Sequence, residues 1–469
     1  MREKVVIIGA GSAMFTRGLV ADLIERGWDL ELGLVDIDER ALETAERLSR
    51  KMVEARKAPI RLSASTDRRE VLKGATAVIT TIAVGGRRGW EMDVRIPRRY
   101  GIYQPVGDSV MPGGSSRALR MIPPMVAIAK DVVELALGAL FFNYANPMSV
   151  VCRAVRKETG AGMVGLCHGV VHVGRYLAEL LGAADSDVSY TAVGMNHLTW
   201  FTEVRVKGKD AKPRLREIAH EKLASLSGAK STVGQELAPA QQRPGGVDLV
   251  EIQPFTWELF LLFDAFPAVL DRHVTEFFPY LFRGKGSYYG KTLGVDAYSM
   301  EQTIQSGDRI YAEMQELAFS PQPLGEDYFR RIGGEHEQVV DIIDSIRTDA
   351  GRVYSANLPN RGQAPNLPAD GIVESPAIAD ASGMHPVSLE PLSPGLAGTL
   401  ATRFQWVETL VEAAVEGSRE KFIQALVLDG AVDSVATAAR LAEDLLAAHA
   451  QHLPQFNGRG PASPRRRDR

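Results

Sequence analysis

Two short segments carry the side chains best suited to bind a metal ion. Cys167, one of only two cysteines, follows an apolar stretch and precedes His168, and His197 follows another apolar stretch. A thiolate and an imidazole at two strand ends can hold a divalent metal with open coordination positions, as a catalytic metal requires. Considered alone, either Cys167 or His197 could equally well be a buried residue of the core. Because both should end strands at one sheet edge, we predict Cys167 and His197 as metal ligands.

The beginning of the chain has the pattern of a dinucleotide-binding unit. An apolar run over 5–8 leads into Gly9, Gly11 and Ser12, and a second apolar run ends at Asp36. The third glycine of the usual fingerprint is missing, and a tight turn with a helix-capping Asp would give a similar pattern. However, Asp36 lies where a carboxylate meets the ribose hydroxyls of NAD and repels the phosphate of NADP. We therefore predict that these four residues bind NAD.

Asn143 and Asn146 follow a further apolar run. Ligands of open α/β sheets bind at the carboxyl ends of the strands, so these side chains are candidates for contacts with cofactor (Asn143) and substrate (Asn146). Asparagines close to a proline are also common turn formers, and the pattern alone fits either role.

Strands and helices of a parallel sheet must position these residues. Short apolar runs predict strands over 5–8, 31–36, 75–81, 140–143 and 163–166. Helical periodicity predicts helices over 16–26 and 39–56 between them. After residue 190 strands and helices are mixed. We predict an α/β fold with a Rossmann domain over 1–190, an α+β catalytic, substrate and oligomerisation domain over 191–453, and a disordered tail over 454–469.

Composition excludes several classes of protein. The 469 residues are 45% hydrophobic and carry a net charge of −4, which gives no broad attraction for nucleic acid or acidic membranes. Neither a signal peptide nor a membrane span is expected, and two cysteines suit a reducing compartment, so we expect a cytoplasmic protein. The irregular segment 225–246 is either a mobile cover on the site or a plain surface insertion.

Several motifs, in this order, resemble glycoside hydrolase family 4, whose members are NAD- and metal-dependent glycosidases. They lie at 9–12, 35–38, 107–114, 143–148, 167–169, 194–197 and 366–368. The resemblance implies a Rossmann domain of the lactate/malate dehydrogenase type, an α+β domain, and assembly as homodimers or homotetramers. Met111 departs from the family pattern, which usually has glycine before Pro-Gly-Gly, and this departure can alter the local turn.

The resemblance also implies a mechanism. NAD removes hydride from C3 of the sugar, a base takes the acidified C2 proton, the C1 substituent leaves, water adds, and the hydride returns. A divalent metal, commonly Mn²⁺, held by Cys167 and His197 polarises the C2 and C3 oxygens. The segment 271–276 aligns with the one that supplies the base in relatives, so Asp271 or His273 is the candidate. His168 is a candidate acid or a ligand of a sugar hydroxyl.

Substrate choice follows from the residues after the metal cysteine. Cys167-His168-Gly169 resembles the α-uronidases, so we predict an α-galacturonidase or α-glucuronidase acting on small glycosides, with α-galactosidase or α-glucosidase as the alternatives. A uronate needs a cationic partner, for which Arg272 and Arg88, or its neighbour Arg87, are candidates. Otherwise these arginines are surface charges, and the glycine merely fits a tight turn.

Two other classes share parts of this pattern. A 2-hydroxy acid dehydrogenase has the same first domain, but it releases NADH at every turnover and needs no thiolate-bound metal. A non-catalytic NAD-sensing protein would leave the Cys167 and His197 pair without a purpose.

Overall fold

The computed structural model describes residues 2–228, 248–332 and 338–456. Within these ranges thirteen strands form one sheet. The strands are β1 (Arg2–Ile8), β2 (Asp29–Val35), β3 (Ile60–Ser65), β4 (Ala77–Thr80), β5 (Leu140–Asn143), β6 (Met163–Gly165), β7 (Val188–Met195), β8 (Leu198–Val206), β9 (Lys209–Asp210), β10 (Phe266–Pro267), β11 (Arg352–Pro359), β12 (Ile372–Asp380) and β13 (Gly383–Pro386).

The first six strands are parallel and lie in the order β3-β2-β1-β4-β5-β6. This is the strand order of a dinucleotide-binding Rossmann fold, which confirms the predicted α/β class. Strand β3 is not among the predicted strands, because only Ile60 of this edge strand is buried and the segment has no apolar run. The strand predicted over 75–81 is therefore the fourth rather than the third.

The remaining strands extend the same sheet in antiparallel pairs. The hairpin of β11 and β12 lies between β6 and β7, and β8 and β10 follow at the edge. Single residue pairs make the two junctions, Asn357 with Gly165 and Glu374 with Gly194. The parallel part, built from strands within residues 2–165, and the antiparallel part, built from strands within residues 188–386, therefore share one sheet.

Helices cover both faces of the parallel part. The α-helices are α1 (Thr16–Arg26), α2 (Glu39–Arg56), α3 (Arg68–Leu72), α4 (Gly86–Arg98), α5 (Met111–Leu135), α6 (Met148–Thr159), α7 (Gly169–Leu180), α8 (Lys212–Gly228), α9 (Leu249–Ile252), α10 (Pro254–Phe263), α11 (Leu270–Val274), α12 (Met300–Phe319), α13 (Glu326–Ile332), α14 (Gln338–Thr348), α15 (Pro394–Glu416), α16 (Arg419–Asp429) and α17 (Val435–Ala448). Strand β1 shows why two layers form. Val5 and Ile7 face a core with α1 and α2, whereas Val6 and Ile8 face one with α5 and α6.

Helix α5 continues through Pro123 and Pro124, although proline disfavours the interior of a helix. Pro123 has no N–H to bond the carbonyl of Leu119 four residues earlier. The Gln455 side chain donates to that carbonyl at 2.9 Å instead. Gln455 belongs to a short turn that buries Phe456, so residues 454–456 are ordered, contrary to the predicted tail. Residues 457–469 lie outside the described residues.

Two further features bear on the sequence predictions. The segment 225–246, expected to be irregular, begins inside α8, and its part beyond residue 228 lies outside the described residues. Across the described ranges, no helix combines the length and apolar character needed to cross a bilayer.

Candidate active site

The structure brings Cys167 and His197 together. Sγ of Cys167 lies 3.5 Å from Nε2 of His197, although β11 and β12 separate the strands that precede them. His197 occupies the turn between β7 and β8 with φ of 66°, and Gly169 donates its N–H to the Cys167 sulfur at 3.4 Å. The two side chains therefore converge across the ends of four strands.

This spacing fits a pair of ligands that share one metal ion. In tetrahedral zinc sites, for example, bonds of about 2.3 Å to sulfur and about 2.1 Å to nitrogen separate the two ligand atoms by about 3.6 Å. The observed separation is 3.5 Å. Cys167 and His197 can therefore bind one metal ion without rearrangement.

Asp108 and His273 complete a polar cluster around His197. One ligand atom from each of the three residues lies within 4.8 Å of the others, a spacing that a metal ion can bridge. The rings of His197 and His273 have centroids 4.2 Å apart. Nδ1 of His273 is buried and has no hydrogen-bond partner among the described residues.

Burial and charge set the protonation states of this cluster. Burial lowers the pKa of His197 to about 4, although Asp108 opposes the shift. Burial and the neighbouring His197 lower the pKa of His273 well below its ordinary value. For Asp108, burial acts to raise the pKa, but the charges of His273, His197 and Arg117 lower it overall. At neutral pH the cluster thus offers two neutral imidazoles and a carboxylate, the forms that bind metals.

A second group of side chains holds Asp108 in place. Asn146 donates through Nδ2 to Oδ2 of Asp108 at 3.1 Å, and Ser109 donates to Oδ1 at 2.7 Å. Arg117 bonds the Asn146 carbonyl through Nε at 3.1 Å. Asp108, Ser109 and Arg117 are not among the site residues predicted from the sequence. The polar residues between the glycines of the 107–114 motif were the available signal.

Helix α11 carries Asp271, Arg272 and His273 but turns them in different directions. The Asp271 carboxylate is fully buried and accepts hydrogen bonds from the N–H groups of Phe255 and Thr256, so it caps α10. It also accepts from the Tyr288 hydroxyl at 2.6 Å. Burial raises its pKa, although the hydrogen bonds oppose the rise. His273 reaches the metal-ligand cluster, whereas the Asp271 carboxylate is occupied by structural contacts.

The candidate cationic residues lie in two different environments. Arg272 is half-buried, its Nη2 is 3.2 Å from the Thr303 hydroxyl, and its Nε has no partner among the described residues. Arg88 is exposed and forms ion pairs with Glu91 and Asp308. Arg87 also pairs with Asp308, at 2.7 Å. Of these arginines, only Arg272 adjoins the cluster, directly before His273 in the chain.

The predicted nucleotide turn is tightly built. Gly9 has φ of 95°, and a Cβ there would lie 2.7 Å from the Ile82 nitrogen. A Cβ on Gly11 would lie 2.8 Å from Oδ2 of Asp36, which accepts the Gly11 N–H. Ser12 accepts weakly from the N–H of Phe15, at 3.3 Å, in the next turn. Glycine is therefore required at both positions, because the main chain of the turn packs against Ile82 and against the Asp36 carboxylate.

Asn143, His168 and Met111 differ in their surroundings. Asn143 is fully buried, and its amide bonds the main chain of Ala145 and the hydroxyl of Thr80, so it fixes its own turn. His168 is exposed at the start of α7.

Met111 has φ of 61°, which explains why glycine suits this position, and its N–H bonds Asp429 at 2.8 Å.

Comparison with known families identifies this arrangement. The sequence model described as "Family 4 glycosyl hydrolase" matches residues 4–183, and that described as "Family 4 glycosyl hydrolase C-terminal domain" matches residues 192–432. The chain belongs to family 4 of the glycosyl hydrolases. The resemblance found in the sequence motifs is thereby confirmed, and the protein is a glycosyl hydrolase.

Relatives within family 4 have several specificities. An α-glucosidase of Erwinia rhapontici is 33% identical, over 92% of this chain and 94% of its own length. An α-galactosidase of Rhizobium meliloti is 31% identical, over 97% and 89%. An α-galacturonidase of Bacillus subtilis is 29% identical, over 91% and 92%. Their names fix the family and leave open which glycoside this member hydrolyses.

Two solved family 4 structures share the fold. One is a 6-phospho-α-glucosidase from gut microorganisms in complex with NAD and glucose-6-phosphate, with a TM-score of 0.80 and 24% identity over 97% of this chain and 99% of its own. The other, of the same description, is a complex with NAD and Mn²⁺, with a TM-score of 0.79 and 19% identity over 97% and 99%. At these identities the similarity establishes the fold alone.

Proposed function

We propose that this family 4 enzyme is an NAD- and Mn²⁺-dependent α-glycosidase that acts on α-uronides. The observation that carries the proposal is the 3.5 Å approach of Cys167 to His197 beside Asp108 and His273. A simple 2-hydroxy acid dehydrogenase has no use for a thiolate and an imidazole paired in this way. The relative crystallised with NAD and Mn²⁺ supports the same pair of cofactors.

The nucleotide turn has the features that NAD needs. Gly9 and Gly11 form the tight glycine turn directly after β1, where dinucleotide-binding folds hold a pyrophosphate, and Asp36, directly after β2, would accept from the ribose hydroxyls. When bound, NAD supplies an acceptor for the hydride of the C3 carbon. Ser12 would contact the same phosphates, whereas Asn143 would act by fixing the turn after β5.

The chain's own residues account for proton transfer and orientation. A divalent metal held by Cys167 and His197 supplies a Lewis acid for the sugar oxygens. His273 is the better candidate for the C2 base, because its neutral imidazole has a buried nitrogen that no described residue bonds, whereas the Asp271 carboxylate already accepts three hydrogen bonds. The exposed His168 would donate a proton to the leaving group or bind a sugar hydroxyl.

Arg272 supports the choice of a uronide. Its half-buried guanidinium, next to His273, can pair with a carboxylate on C5, and Asn146 would contact the sugar beside Asp108. The α-galacturonidase relative has the corresponding activity. The exposed, ion-paired Arg88 has no comparable access.

A neutral hexoside is the second candidate substrate. It is favoured by the α-glucosidase and α-galactosidase relatives, whose identities of 33% and 31% exceed the 29% of the α-galacturonidase. We further propose that the enzyme acts in the cytoplasm as a homodimer or homotetramer, which light scattering would test.

The decisive experiment is a panel of aryl α-glycosides. Galacturonide, glucuronide, galactoside and glucoside are assayed with NAD, Mn²⁺ and a thiol reductant, with aglycone release and NADH followed together. We expect release from a uronide without accumulation of NADH. Preference for a neutral hexoside would reject the uronidase proposal, and stoichiometric NADH would indicate a dehydrogenase.

A further inference from the structure

The buried hydroxyl of Ser109 bridges Asp108 and His197. Its Oγ lies 2.7 Å from Oδ1 of Asp108 and 2.8 Å from Nδ1 of His197, and both serine and histidine are 6% exposed. Both distances are those of well-formed hydrogen bonds. A serine hydroxyl has a single proton, so it can donate in only one of these two bonds.

The surroundings of Asp108 decide the direction of donation. Its other oxygen, Oδ2, accepts from the Asn146 amide at 3.1 Å, so the carboxylate acts as an acceptor on both sides. If Ser109 donated to His197, its oxygen lone pair would face Oδ1 at 2.7 Å with no proton between them. Donation to Asp108 avoids this repulsion. The Ser109 oxygen then accepts a proton from Nδ1 of His197.

The proton on Nδ1 determines what the rest of the imidazole can do. A neutral imidazole carries one proton, so Nε2 is left with its lone pair. Nε2 is the atom that lies 3.5 Å from the Cys167 sulfur. In metal sites the hydrogen bond at one ring nitrogen commonly sets the tautomer that makes the other nitrogen a ligand.

We propose that Ser109 is a positioning residue that fixes His197 in the Nδ1–H tautomer and so directs the Nε2 lone pair towards Cys167. The use of that lone pair for a divalent cation rests on the proposed function. The tautomer itself does not, because it follows from contacts within the chain.

The test uses the full, metal-free chain with ¹⁵N-labelled histidine. Magic-angle-spinning ¹⁵N spectra distinguish protonated from unprotonated ring nitrogens, and the His197→Asn spectrum identifies the His197 signals among nine histidines. We expect Nδ1–H in the wild type, loss of that preference in Ser109→Ala, and its recovery in Ser109→Thr. A wild-type Nε2–H signal, or an unchanged tautomer in Ser109→Ala, would overturn the proposal. The wild-type spectrum decides even if a variant fails to fold.

Mn²⁺ binding provides the second measurement. Titration followed by electron paramagnetic resonance should show an affinity about 10–100-fold lower for Ser109→Ala, with Ser109→Thr close to wild type. A third outcome separates the two proposals. If the wild type shows the Nδ1–H tautomer and Ser109→Ala loses it, yet neither the wild type nor the variants bind Mn²⁺, the role of Ser109 stands and the metal-dependent function fails.

Discussion

Glu276 accepts a hydrogen bond from the main-chain N–H of Gly107 at 2.7 Å, through the same Oε1 that accepts from Val106 at 3.0 Å. Glu276 follows the helix that carries His273, and Gly107 immediately precedes Asp108. One buried carboxyl group therefore joins the segment that carries Asp108 to the segment that carries His273. Its second oxygen, Oε2, has no partner among the described residues.

This arrangement predicts a pH-dependent stability. Burial raises the pKa of Glu276 to about 8 from an ordinary value of 4.5, although the two N–H groups oppose the rise. The folded state therefore binds more protons than the unfolded state between these values. The stabilising contribution is complete at low pH and decreases as the pH rises through the window. Urea unfolding from about pH 5 to about pH 8 should show a weaker decrease for Glu276→Gln than for wild type.

Glu276→Ala is the companion variant. It leaves two buried N–H groups without an acceptor, so we expect a loss of about 2–5 kcal/mol at about pH 5, where the wild-type carboxyl group makes its full contribution, and a smaller loss at higher pH. Glu276→Gln keeps an acceptor oxygen and should lose less. Identical pH slopes for wild type and Glu276→Gln would contradict the raised pKa.

Cys167→Ser should abolish metal binding while the fold remains intact, because a hydroxyl is a poor substitute for a thiolate ligand. Mn²⁺ binding, turnover and thermal unfolding are measured together. Cys152→Ala is the matched control: Cys152 is buried among the sulfurs of Met148 and Met163, and burial raises its pKa to about 12. Full activity of Cys167→Ser in the presence of a chelator would reject the metal assignment.

His273 and Asp271 should give opposite phenotypes. His273→Gln should fold normally and lose deuterium incorporation at C2 of the product formed in D₂O, as measured by mass spectrometry. Asp271→Asn presents an amide to the N–H groups of Phe255 and Thr256, so it should lose about 1–3 kcal/mol of unfolding free energy for each unsatisfied group. A stable Asp271→Asn that fails to exchange C2, together with an exchanging His273→Gln, would reverse the assignment.

The sequence predicts the Rossmann half well because that half depends on local patterns. The predicted helices at 16–26 and 39–56 coincide with α1 and α2, and the strands leading to Gly9 and Asp36 lie in the expected order. Such elements can be predicted from apolar runs and helical periodicity. The edge strand β3 has neither signal, and of the carbonyls that the two prolines of α5 leave without an N–H partner, that of Leu119 is bonded by Gln455, more than 300 residues away.

The site is predicted in part, for a related reason. The approach of Cys167 to His197 could be anticipated from strand ends, but the strands β11 and β12 between them could not. From the sequence alone, Asp271 and His273 are equally good candidates for the C2 base, because both lie in the segment 271–276. Their roles differ because helix α11 points the two side chains in different directions. The Asp271 carboxylate lies at the start of α10, and the His273 imidazole lies against His197.

Arg272→Ala should reduce kcat/KM for an α-uronide, because the substrate carboxylate loses its partner in a half-buried site. The expected loss of transition-state binding free energy is about 2–5 kcal/mol. The matching neutral α-hexoside should be affected much less. Arg88→Ala is the control, since Arg88 is exposed and paired with Glu91 and Asp308. Equal losses for both substrates would show that Arg272 does not recognise the carboxylate.

Gly169 and Val269 should show strong energetic coupling. A Cβ on Gly169 would lie 2.3 Å from Cγ1 of Val269. The β-branched side chain of Val269 has few rotamers, and its backbone has a positive φ of 67°, so it cannot easily move away. Gly169→Ala should therefore displace the segment that leads into α11 and cost about 1–3 kcal/mol, despite the better helix propensity of alanine. Val269→Ala should restore both stability and kcat in the double variant. Gly162→Ala, where a Cβ would meet no atom of the described residues within 4 Å, is the control. If Gly169→Ala and Val269→Ala have additive effects on unfolding free energy, this contact does not position α11.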